Sequence, residues 1–563
     1  MTALSPRSAS ASTQLPELRL DANECPMRPD DLSALQAEVT TDAIGRYPDA
    51  GALAAAFARR HGVADDRVVV TAGADDAIDR LARLARGRRV VVTDPTFATI
   101  PERVRANGGT VDAVRWDDQG PFPVDAFVAA AEGAAFAFVV SPNNPTGRVL
   151  RRDELRAIRD GLVGTSLVLD AAYGEFAADD VADAALAYDD VVVVRTLSKA
   201  WGLAGLRVGA AFAPVDLARS LRALAPPYPV ATVSLAVAAA ALERGEPTMR
   251  ARVSRVRRER ERLATAFRDA GFATTASDGN FVFARATAVT SPAPIIAARL
   301  ASLGVRVRTF REPSLADALR VTCVGEPDVS RRVERALRAA TAPDAILFDL
   351  DGVLADVSQS YRRAILETVA AFGGSASPAA IAKAKRRGDA NNDWLLTRRL
   401  LLDEGIDVAL EDVVARFERA YAAYRATETL LVDPAALDRL RARRPLAIVT
   451  GRPRRDAERF LERWAIASRF DALVTLEDAP PKPSPEPVRR ALEALGVRTA
   501  WFVGDTVDDI RAAVSVTAGD DAAVLPMGVV APGDDAPCTV AALRVAGAAE
   551  TFADVRAFLE AIP

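Results

Sequence analysis

The stretch "VVVVRTLSKAWGLAGLRVG", residues 191–209, joins an apolar, strand-like run to a turn rich in small residues. Similar runs recur between residues 65 and 215 and alternate with helical patterns: "RVVVTAG" (67–73), "RRVVVTDP" (88–95), "FAFVVSPNNPTG" (136–147), "SLVLDAAY" (166–173) and "RVGAAFA" (207–213). This alternation predicts an α/β fold with a mostly parallel sheet covered by helices on both faces. Ligands bind at the carboxyl ends of such strands, so the polar residues there are the first functional candidates.

Composition narrows the class of protein. The chain has 563 residues, of which 50% are apolar and 26% charged, so we expect a globular protein with more than one domain. Its net charge of -4 argues against a nucleic-acid partner. No long uncharged apolar run occurs, so no membrane span is expected. The scattered Cys25, Cys323 and Cys538 indicate a reducing, cytoplasmic environment.

Domain boundaries follow from changes in pattern. Residues 1–13 are small and polar and are interpreted as a disordered tail. A second α/β pattern starts at "AILFDLDG" (345–352), so we place a boundary near residue 342. The predicted domains are residues 14–342 and 343–563.

The opening stretch contains a rare residue type. Lysine occurs only at positions 199, 383, 385 and 482 of a chain with 72 Lys plus Arg. A lysine amine can lose its proton and act as a nucleophile, which a guanidinium cannot. Lys199 follows a strand, Asp170 ends another, and Arg207 is close by in the chain. An amine, a carboxylate and a cation suit a cofactor with an aldehyde, a protonated ring nitrogen and a phosphate, and pyridoxal phosphate fits.

A series of motifs between residues 18 and 340 carries a family resemblance. In chain order they are "LDANECP", "RYPD", "GADDAI", "DPTF", "SPNNPTG", "LDAAY", "RTLSKAWGLAGLRVG", "GNFVF" and "LRVTCVG". This part of the chain resembles the fold-type I aminotransferases, most closely the histidinol-phosphate aminotransferases. The resemblance implies a large and a small subdomain, pyridoxal phosphate as cofactor, and a homodimer formed through this domain.

The resemblance also implies roles for matching residues. Lys199 would bond the cofactor and move the substrate proton, and Asp170 would keep the ring nitrogen protonated. Asn144 and Tyr173 would bind the ring hydroxyl, with Phe97 stacked on the ring. The residues that would hold the cofactor phosphate are Ala74, Asp75, Thr196, Ser198 and Arg207, joined by Tyr47 from the neighbouring subunit. Arg320 would bind the donor's carboxylate or the acceptor's phosphate, with Asn23 near the substrate.

Some positions depart from the family pattern. Ala171 stands where an acidic residue is usual, Phe97 replaces a tyrosine, and Met27 ends an altered N-terminal motif. None of these changes removes a proton-transfer group. Transamination is therefore still expected. The departures leave two choices for the amino acceptor, namely imidazole-acetol phosphate or another phosphorylated or aromatic substrate.

The second pattern begins with a pair of aspartates. "AILFDLDGVLADV" (345–357) is an apolar strand running into Asp349 and Asp351. Clustered carboxylates repel one another unless a cation offsets them. Three later strand ends supply Thr450, Lys482, and the acids Asp505 and Asp509.

This ordered set resembles the haloacid dehalogenase-type phosphatases over about residues 343–563, which implies a Rossmann-like domain. By the resemblance, Asp349 is the nucleophile and Asp351 the general acid and base, while Thr450 and Lys482 bind the phosphoryl oxygens. Mg²⁺ would be held by Asp349, the backbone carbonyl of Asp351, and Asp505, with Asp509 supporting Lys482 or the metal's water shell.

About 90 residues of helical pattern separate the first two phosphatase motifs. Their position predicts a helical cap over about residues 357–435. Within it, "KAKRRGDANNDW" (383–394) contains Lys383 and Lys385. Either a solvated helix end or a substrate-recognition segment explains this composition.

Two sites on one chain suggest consecutive reactions. The sequence leads to the hypothesis of a bifunctional enzyme of histidine biosynthesis. Glutamate would donate its amino group to imidazole-acetol phosphate, leaving 2-oxoglutarate, and the C-terminal domain would then dephosphorylate histidinol phosphate to histidinol. The alternatives are a phosphatase acting on a different phosphoester and a non-catalytic C-terminal domain. Transfer of the intermediate between sites and docking of the domains are left open.

Overall fold

The computed structural model of the protein describes residues 17–388, 391–519 and 521–562. The predicted tail over residues 1–13 lies outside this part. The described chain divides into two compact units. The N-terminal unit comprises Arg19–Ala297 and Arg306–Arg331, and the C-terminal unit comprises Ala298–Val305 and the chain from Arg332 onwards. Among the described helices, none combines the length and the apolar character that a membrane crossing requires.

Strands and helices alternate through the first part of the chain. The strands are β1 (Leu18–Leu20), β2 (Val68–Thr71), β3 (Arg89–Asp94), β4 (Thr110–Arg115), β5 (Phe136–Val140), β6 (Ser166–Asp170), β7 (Val192–Thr196), β8 (Gly209–Phe212), β9 (Ala273–Thr274), β10 (Phe281–Arg285), β11 (Val305–Val307) and β12 (Ala318–Thr322). The helices are α1 (Pro29–Gln36), α2 (Thr41–Gly45), α3 (Gly51–His61), α4 (Ala74–Leu84), α5 (Thr99–Ala106), α6 (Val124–Ala131), α7 (Arg152–Gly161), α8 (Val181–Leu186), α9 (Val215–Ala223), α10 (Thr232–Arg244), α11 (Glu246–Asp269), α12 (Ala293–Ser302) and α13 (Pro327–Thr341).

A seven-stranded sheet forms the centre of the N-terminal unit. Its order is β2-β8-β7-β6-β5-β3-β4. β8 runs antiparallel to both of its neighbours, and the other pairs are parallel. The valine-rich strands β5, β6 and β7 are buried along their length, as expected where helices cover both faces. The predicted α/β fold with a mostly parallel sheet is confirmed.

A smaller antiparallel sheet accompanies the large one. Its order is β12-β10-β9, and Phe283 of β10 is opposite Arg320 of β12. Between β8 and β9, the helices α10 and α11 follow one another and are separated by Gly245. Val253, Val256 and Phe267 of α11 are buried, so the apolar stripe of this arginine-rich helix faces the protein interior.

The second part of the chain contains another α/β arrangement. Its strands are β13 (Ala345–Phe348), β14 (Ala355–Asp356), β15 (Thr429–Leu430), β16 (Leu446–Val449), β17 (Ala472–Val474), β18 (Thr499–Gly504), β19 (Ala523–Val529) and β20 (Glu550–Phe552). Its helices are α14 (Tyr361–Ala371), α15 (Pro378–Arg387), α16 (Asp393–Asp403), α17 (Leu410–Tyr424), α18 (Pro434–Arg441), α19 (Arg454–Arg463), α20 (Glu486–Leu495), α21 (Val507–Gly519), α22 (Ala536–Ala546) and α23 (Val555–Ala561).

A six-stranded sheet organises the C-terminal unit. Its order is β17-β16-β13-β18-β19-β20, and every pair is parallel. The first strand in the chain, β13, therefore lies in the middle and is flanked by β16 and β18. The carboxyl ends of these three strands meet at one edge, which is where the phosphatase motifs begin.

Four helices, α14 to α17, are inserted between β14 and β15. These two short strands pair antiparallel, with Ala355 opposite Leu430 and Asp356 opposite Thr429. The predicted helical cap falls on this insertion. The predicted domain boundary near residue 342 falls between α13 and β13; both boundaries stay predictions.

Candidate active sites

A cavity of about 380 Å³ in the N-terminal unit collects most of the residues predicted from the first set of motifs. This volume lies in the range of small-molecule and cofactor sites. The predicted residues that line it are Asn23, Ala74, Asp75, Phe97, Asn144, Asp170, Tyr173, Thr196, Ser198, Lys199, Arg207 and Arg320. The carboxyl ends of the parallel strands β6 and β7 bring Asp170 and Lys199 to this cavity, whereas Arg320 reaches it from β12 of the antiparallel sheet.

Lys199 follows β7 and reaches across the cavity. Its Nζ donates a hydrogen bond to the carbonyl oxygen of Ala22 at 3.1 Å and lies 5.7 Å from the ring centroid of Tyr173. Its amine therefore has a neutral acceptor nearby and lies above an aromatic face. A lysine amine at this position can form a covalent bond with the aldehyde of a cofactor held in the cavity.

Asp170 ends β6 at the base of the cavity. It is 2% exposed, and Oδ1 accepts a hydrogen bond from the backbone N–H of Ala172 at 3.0 Å. Burial raises the pKa of Asp170 to about 7, although the hydrogen bond from Ala172 and the charge of Lys199 oppose the shift. A buried carboxyl with this pKa is suited to share a proton with a ring nitrogen.

The start of α4 and the loop after β7 form an anion-binding corner. Arg207 donates to Oγ of Ser198 at 3.3 Å and to Oδ2 of Asp75 at 3.1 Å, and Thr196 Oγ1 donates to Ser198 Oγ at 2.9 Å. Gly73 precedes α4 with a φ of 82°, and a Cβ there would lie 2.8 Å from Nη2 of Arg207. Hydroxyls, a guanidinium and free N–H groups at a helix start fit the phosphate of pyridoxal phosphate.

A hydrogen-bonded chain lines the substrate side of the cavity. Nδ2 of Asn23 donates to the Tyr173 hydroxyl at 2.9 Å, and Nδ2 of Asn144 lies 3.5 Å from the same oxygen. Arg320 donates to Oδ1 of Asn144 at 2.5 Å and to the carbonyl oxygen of Asp21 at 2.7 Å. These contacts orient Asn144 and Tyr173 and leave an arginine at the cavity for an anionic substrate group.

Tyr47 does not line this cavity. Its side chain is 81% exposed and stacks on Tyr228, with ring centroids 4.6 Å apart. The prediction assigned Tyr47 to the cofactor site of a neighbouring subunit, so its place on the surface of its own subunit leaves that prediction untested.

Residues that the sequence analysis missed complete the first cavity. They include Thr99, Glu102, Arg308, Phe310 and Glu312. Arg308 follows directly after β11, so the strand-end criterion that selected Asp170 could have found it. Glu102 and Thr99 lie in α5 and carry no comparable signal in the sequence.

The second site lies at the carboxyl edge of the C-terminal sheet. Asp349 directly follows β13, and its backbone N–H donates to the carbonyl oxygen of Val503 in β18 at 2.8 Å. Lys482 Nζ donates to Oδ1 of Asp349 at 2.8 Å and to the carbonyl oxygen of Val449 at 3.1 Å. It also lies 2.5 Å from Oδ1 of Asp509. The backbone of Thr450 is fixed by the carbonyl oxygen of Val474 at 2.9 Å.

At this edge of the sheet, burial and neighbouring charges have opposite effects on the pKa values of Asp349 and Lys482. Burial raises the pKa of Asp349, and the charge of Lys482 opposes that shift. Burial opposes the charged form of Lys482, but the carboxylates of Asp349 and Asp509 together raise its pKa. Asp509 also accepts from the N–H and hydroxyl of Thr506 at 3.0 and 2.6 Å. This supports the predicted association of Asp509 with Lys482.

The same residues form a candidate cation site. Carboxylate oxygens of Asp349, Asp505 and Asp509 lie within 4.8 Å of one another. Among the described residues, neither Asp505 oxygen has a hydrogen-bond partner, although the side chain is 3% exposed. Gly352, with a φ of 80°, allows this approach, because a Cβ there would lie 2.5 Å from Oδ2 of Asp505. Three buried carboxylates, with Asp505 contributing two oxygens that accept no hydrogen bond from the described residues, fit Mg²⁺.

Asp351, predicted to be the general acid, forms a hydrogen bond with an arginine and not with Lys482. Its Oδ1 accepts a hydrogen bond from Nε of Arg452 at 2.6 Å. Arg452 is 1% exposed. It was not among the predicted site residues, although it directly follows the motif residues Thr450 and Gly451.

The helices α14 to α16 cover this site. Tyr361, Arg362, Lys385 and Asp393 line a small cavity together with Asp349 and Asp351. Its volume is about 20 Å³, room for about one water molecule. Burial opposes the charge of Lys385, yet Asp505 and Asp393 raise the pKa of its amine. Lys383 is exposed.

Comparison with known proteins finds a different family model for each of the two parts of the chain. Residues 12–337 match the family model described as aminotransferase class I and II, and residues 343–517 match that of haloacid dehalogenase-like hydrolase. A histidinol-phosphate aminotransferase of Methanoculleus marisnigri is 36% identical over 313 residues, which cover 55% of this chain and 86% of that protein.

Two further comparisons cover less of the relative or show only the fold. An imidazoleglycerol-phosphate dehydratase of Phytophthora nicotianae is 46% identical over 208 residues, and the chain spans only 44% of its length. The histidinol-phosphate aminotransferase of Sinorhizobium meliloti, solved with pyridoxal-5'-phosphate, is 24% identical with a TM-score of 0.51 and covers 58% of this chain and 90% of its own. The chain belongs to the class I and II aminotransferase family and carries a haloacid dehalogenase-like hydrolase domain in its C-terminal part.

Proposed function

We propose that the protein is a bifunctional enzyme of histidine biosynthesis. It would transfer an amino group from glutamate to imidazole-acetol phosphate and then hydrolyse the resulting histidinol phosphate to histidinol. The observation that carries the proposal is that each unit has its own complete set of chemical groups. Lys199, Asp170 and Arg207 meet in one cavity, and Asp349, Lys482 and Asp505 meet at one sheet edge.

The first reaction uses pyridoxal phosphate. When bound, this cofactor delocalises the electron pair that is left when a substrate Cα loses its proton. Thr196, Ser198 and Arg207 would hold the cofactor phosphate, and Asp170 would keep a proton at the ring nitrogen. Lys199 would take the proton from Cα of the substrate and return it at C4′.

Arg320 orients the substrate in this reaction. It is 7% exposed, and Asn144 and the carbonyl oxygen of Asp21 fix its fork. A fixed guanidinium binds the carboxylate of glutamate or the phosphate of the acceptor in two parallel hydrogen bonds. The two half-reactions thereby use one anion position for two different substrates.

The second reaction uses Asp349 as the nucleophile. Its carboxylate oxygen attacks phosphorus, the bond from phosphorus to the ester oxygen breaks, and Asp351 gives a proton to the departing alcohol. Asp351 then takes a proton from the water that attacks the aspartyl phosphate. Lys482 and Thr450 bind the phosphoryl oxygens, and Asp349, Asp505 and the backbone of Asp351 would hold Mg²⁺, which supplies positive charge opposite the phosphoryl group.

The substrates are assigned from chemistry and relatives together. Transamination of imidazole-acetol phosphate yields a phosphorylated amino alcohol, which is a phosphoester that a haloacid dehalogenase-like hydrolase can cleave. The name of the 36% identical relative supports histidinol phosphate as the shared intermediate. The two cap lysines offer the second site an additional cation, and Lys385 is the one that lines the cavity.

Assembly and location form part of the same proposal. A homodimer through the N-terminal unit would bring Tyr47 of one subunit to the cofactor phosphate of the other. The exposed stack of Tyr47 on Tyr228 supports a contact surface there. The unpaired Cys25, Cys323 and Cys538 support a reducing, cytoplasmic location.

A two-part assay on one preparation tests the proposal. The purified protein is incubated with histidinol phosphate and Mg²⁺, and inorganic phosphate is measured. 2-Oxoglutarate is supplied separately with pyridoxal phosphate, and glutamate is measured. We expect both products. Phosphate without glutamate, or glutamate without phosphate, would contradict the bifunctional assignment and identify the inactive unit.

A further inference from the structure

Arg452 connects the general acid of the phosphatase site to a second carboxylate. Its Nε donates to Oδ1 of Asp351 at 2.6 Å, and Nη1 donates to Oε2 of Glu428 at 3.1 Å. Arg452 and Glu428 are 1% and 3% exposed. A single guanidinium thus spans two carboxylates that lie 77 positions apart in the chain, in an environment with little water.

Aromatic rings hold the guanidinium in place. Its Cζ lies 4.9 Å from the ring centroid of Tyr361 and 5.4 Å from that of Phe460. The planar guanidinium of arginine stacks on aromatic rings more readily than the ammonium group of lysine does. The backbone N–H of Arg452 also donates to Oγ1 of Thr450 at 3.1 Å, so the residue is fixed at both ends.

Glu428 stands at the point where the inserted helices rejoin the core. It directly precedes β15, which pairs with β14, and all four helices α14 to α17 lie between these strands. Its Oε1 accepts a hydrogen bond from Oγ of Ser360 at 2.9 Å, and Ser360 directly precedes α14. One carboxylate therefore joins the entrance and the exit of the helical insertion.

The space between the insertion and the phosphatase residues is small. The cavity between it and Asp349 has a volume of about 20 Å³, and a phosphate ester needs several times the space of the one water molecule that fits there. A phosphate ester therefore needs α14 to α16, or the side chains that they place at the site, to shift from this arrangement. Because Ser360 and Glu428 form the two connections, such a displacement acts directly on the side chain that holds Arg452.

We propose that Arg452 is a positioning residue for Asp351, and that Glu428 makes the position of this acid depend on the position of the helical insertion. The inference rests on the proposed role of Asp351 in phosphoester hydrolysis. With the insertion in its closed position, Glu428 and Arg452 hold the Asp351 carboxyl beside the site. With the insertion displaced, Arg452 loses one of its two anchors.

This arrangement predicts which substrates depend on Arg452. As the oxygen of Asp349 bonds to phosphorus, the leaving oxygen takes the electron pair of its bond and accepts the proton of Asp351. An alkyl alcohol is a poor leaving group and needs that proton, whereas a nitrophenol leaves readily as its anion. A misplaced acid therefore slows alkyl esters far more than nitrophenyl esters, while damage to Asp349 or Lys482 slows both.

The test compares two esters in the full-length protein with Mg²⁺. Turnover of histidinol phosphate and of p-nitrophenyl phosphate is measured for wild type, Arg452→Lys, Glu428→Gln and the control Arg498→Lys, whose side chain is 72% exposed. We expect Arg452→Lys to lower kcat for histidinol phosphate by about a hundredfold or more and for the nitrophenyl ester by less than about tenfold. Glu428→Gln should also lower kcat more for histidinol phosphate than for the nitrophenyl ester, but by a smaller factor. Arg498→Lys should leave both kcat values unchanged.

Thermal unfolding with and without Mg²⁺ shows whether each variant retains the folded C-terminal unit. If Arg452→Lys does not fold, the shape-conserving Glu428→Gln decides the question. Equal losses for both esters, or no loss for either, would overturn the role of Arg452 while leaving the phosphatase assignment intact. A wild-type protein that hydrolyses neither ester would overturn both.

Discussion

Nζ of Lys482 lies 2.8 Å from Oδ1 of Asp349, and both side chains are almost fully buried. The paired carboxylates keep this amine protonated, as a phosphoryl-binding cation requires. Lys199 has a different neighbour, the carbonyl oxygen of Ala22. In a chain that uses arginine for nearly all of its cations, the proposed mechanism gives these two lysines different tasks: Lys482 binds phosphoryl oxygens as a cation, and Lys199 bonds the cofactor as a nucleophilic amine.

Replacing Lys199 by arginine should abolish transamination. The guanidinium preserves the charge but cannot become the nucleophile or carry the substrate proton. Glutamate formation is measured with 2-oxoglutarate, and phosphate release from histidinol phosphate in the same preparation reports the intact second site. Substantial glutamate formation by Lys199→Arg would show that another residue moves the proton.

Replacing Asp349 by asparagine should give the reciprocal result. The amide has nearly the same shape but cannot form the aspartyl phosphate, so phosphate release should fall by more than about a thousandfold. Transamination should be unchanged, because Asp349 belongs to the other unit. A parallel fall of both activities would instead indicate that the substitution unfolds the whole chain.

The raised pKa of Asp170 predicts a pH-dependent stability of the cofactor-free protein. Burial raises this pKa from 3.8 to about 7, so between these values the folded protein binds a proton that the unfolded chain has released. The free energy of unfolding therefore falls as the pH rises through this range. The asparagine side chain of Asp170→Asn cannot ionise, so the variant should lose this pH dependence of the free energy of unfolding.

Urea unfolding of cofactor-free wild type and Asp170→Asn at pH 5.5 and 7.5 checks this. The stability of the variant relative to wild type should increase by about 2 kcal/mol over that interval. Asp216→Asn, at a side chain that is 92% exposed, provides the matched control and should follow wild type. A constant difference between Asp170→Asn and wild type would contradict the raised pKa.

The two lysines of α15 offer a matched pair. Lys385 lines the phosphatase cavity, whereas Lys383 is exposed. Lys385→Met should raise KM for histidinol phosphate by about tenfold, which corresponds to a loss of about 1.4 kcal/mol of binding. Lys383→Met should leave KM unchanged. Similar KM values for both variants would favour a solvated helix end over substrate recognition.

The sequence analysis was best at selecting residues that lie at the end of a strand or within a few residues after it. Asp170, Lys199 and Asp349 could be found because the residue at the end of a buried strand reaches the same edge as its neighbours. The parallel sheet was predictable for a related reason, since uninterrupted valine runs such as residues 191–194 are typical of strands buried on both faces.

Pairings over long sequence distances could not be predicted in this way. Arg452 and Asp351 are 101 positions apart, and no periodicity or motif spacing indicates that their side chains meet. Glu428 carries still less signal, because it is one acid among 76 Asp and Glu residues. Its role follows only from the pairing of β14 with β15, which fixes where the helical insertion ends.

That pairing of β14 with β15 has a consequence for how the phosphatase part can diversify. Since the two ends of the insertion are neighbours in space, a short turn could link Asp356 to Thr429 directly, and helices of another length could take the place of α14 to α17. The sheet that carries Asp349, Thr450, Lys482 and Asp505 would be unaltered. The groups for nucleophilic attack, phosphoryl binding and metal binding are thus encoded outside the insertion, whereas the contact of Glu428 with Arg452, which reaches Asp351, would have to be supplied anew by a replacement insertion.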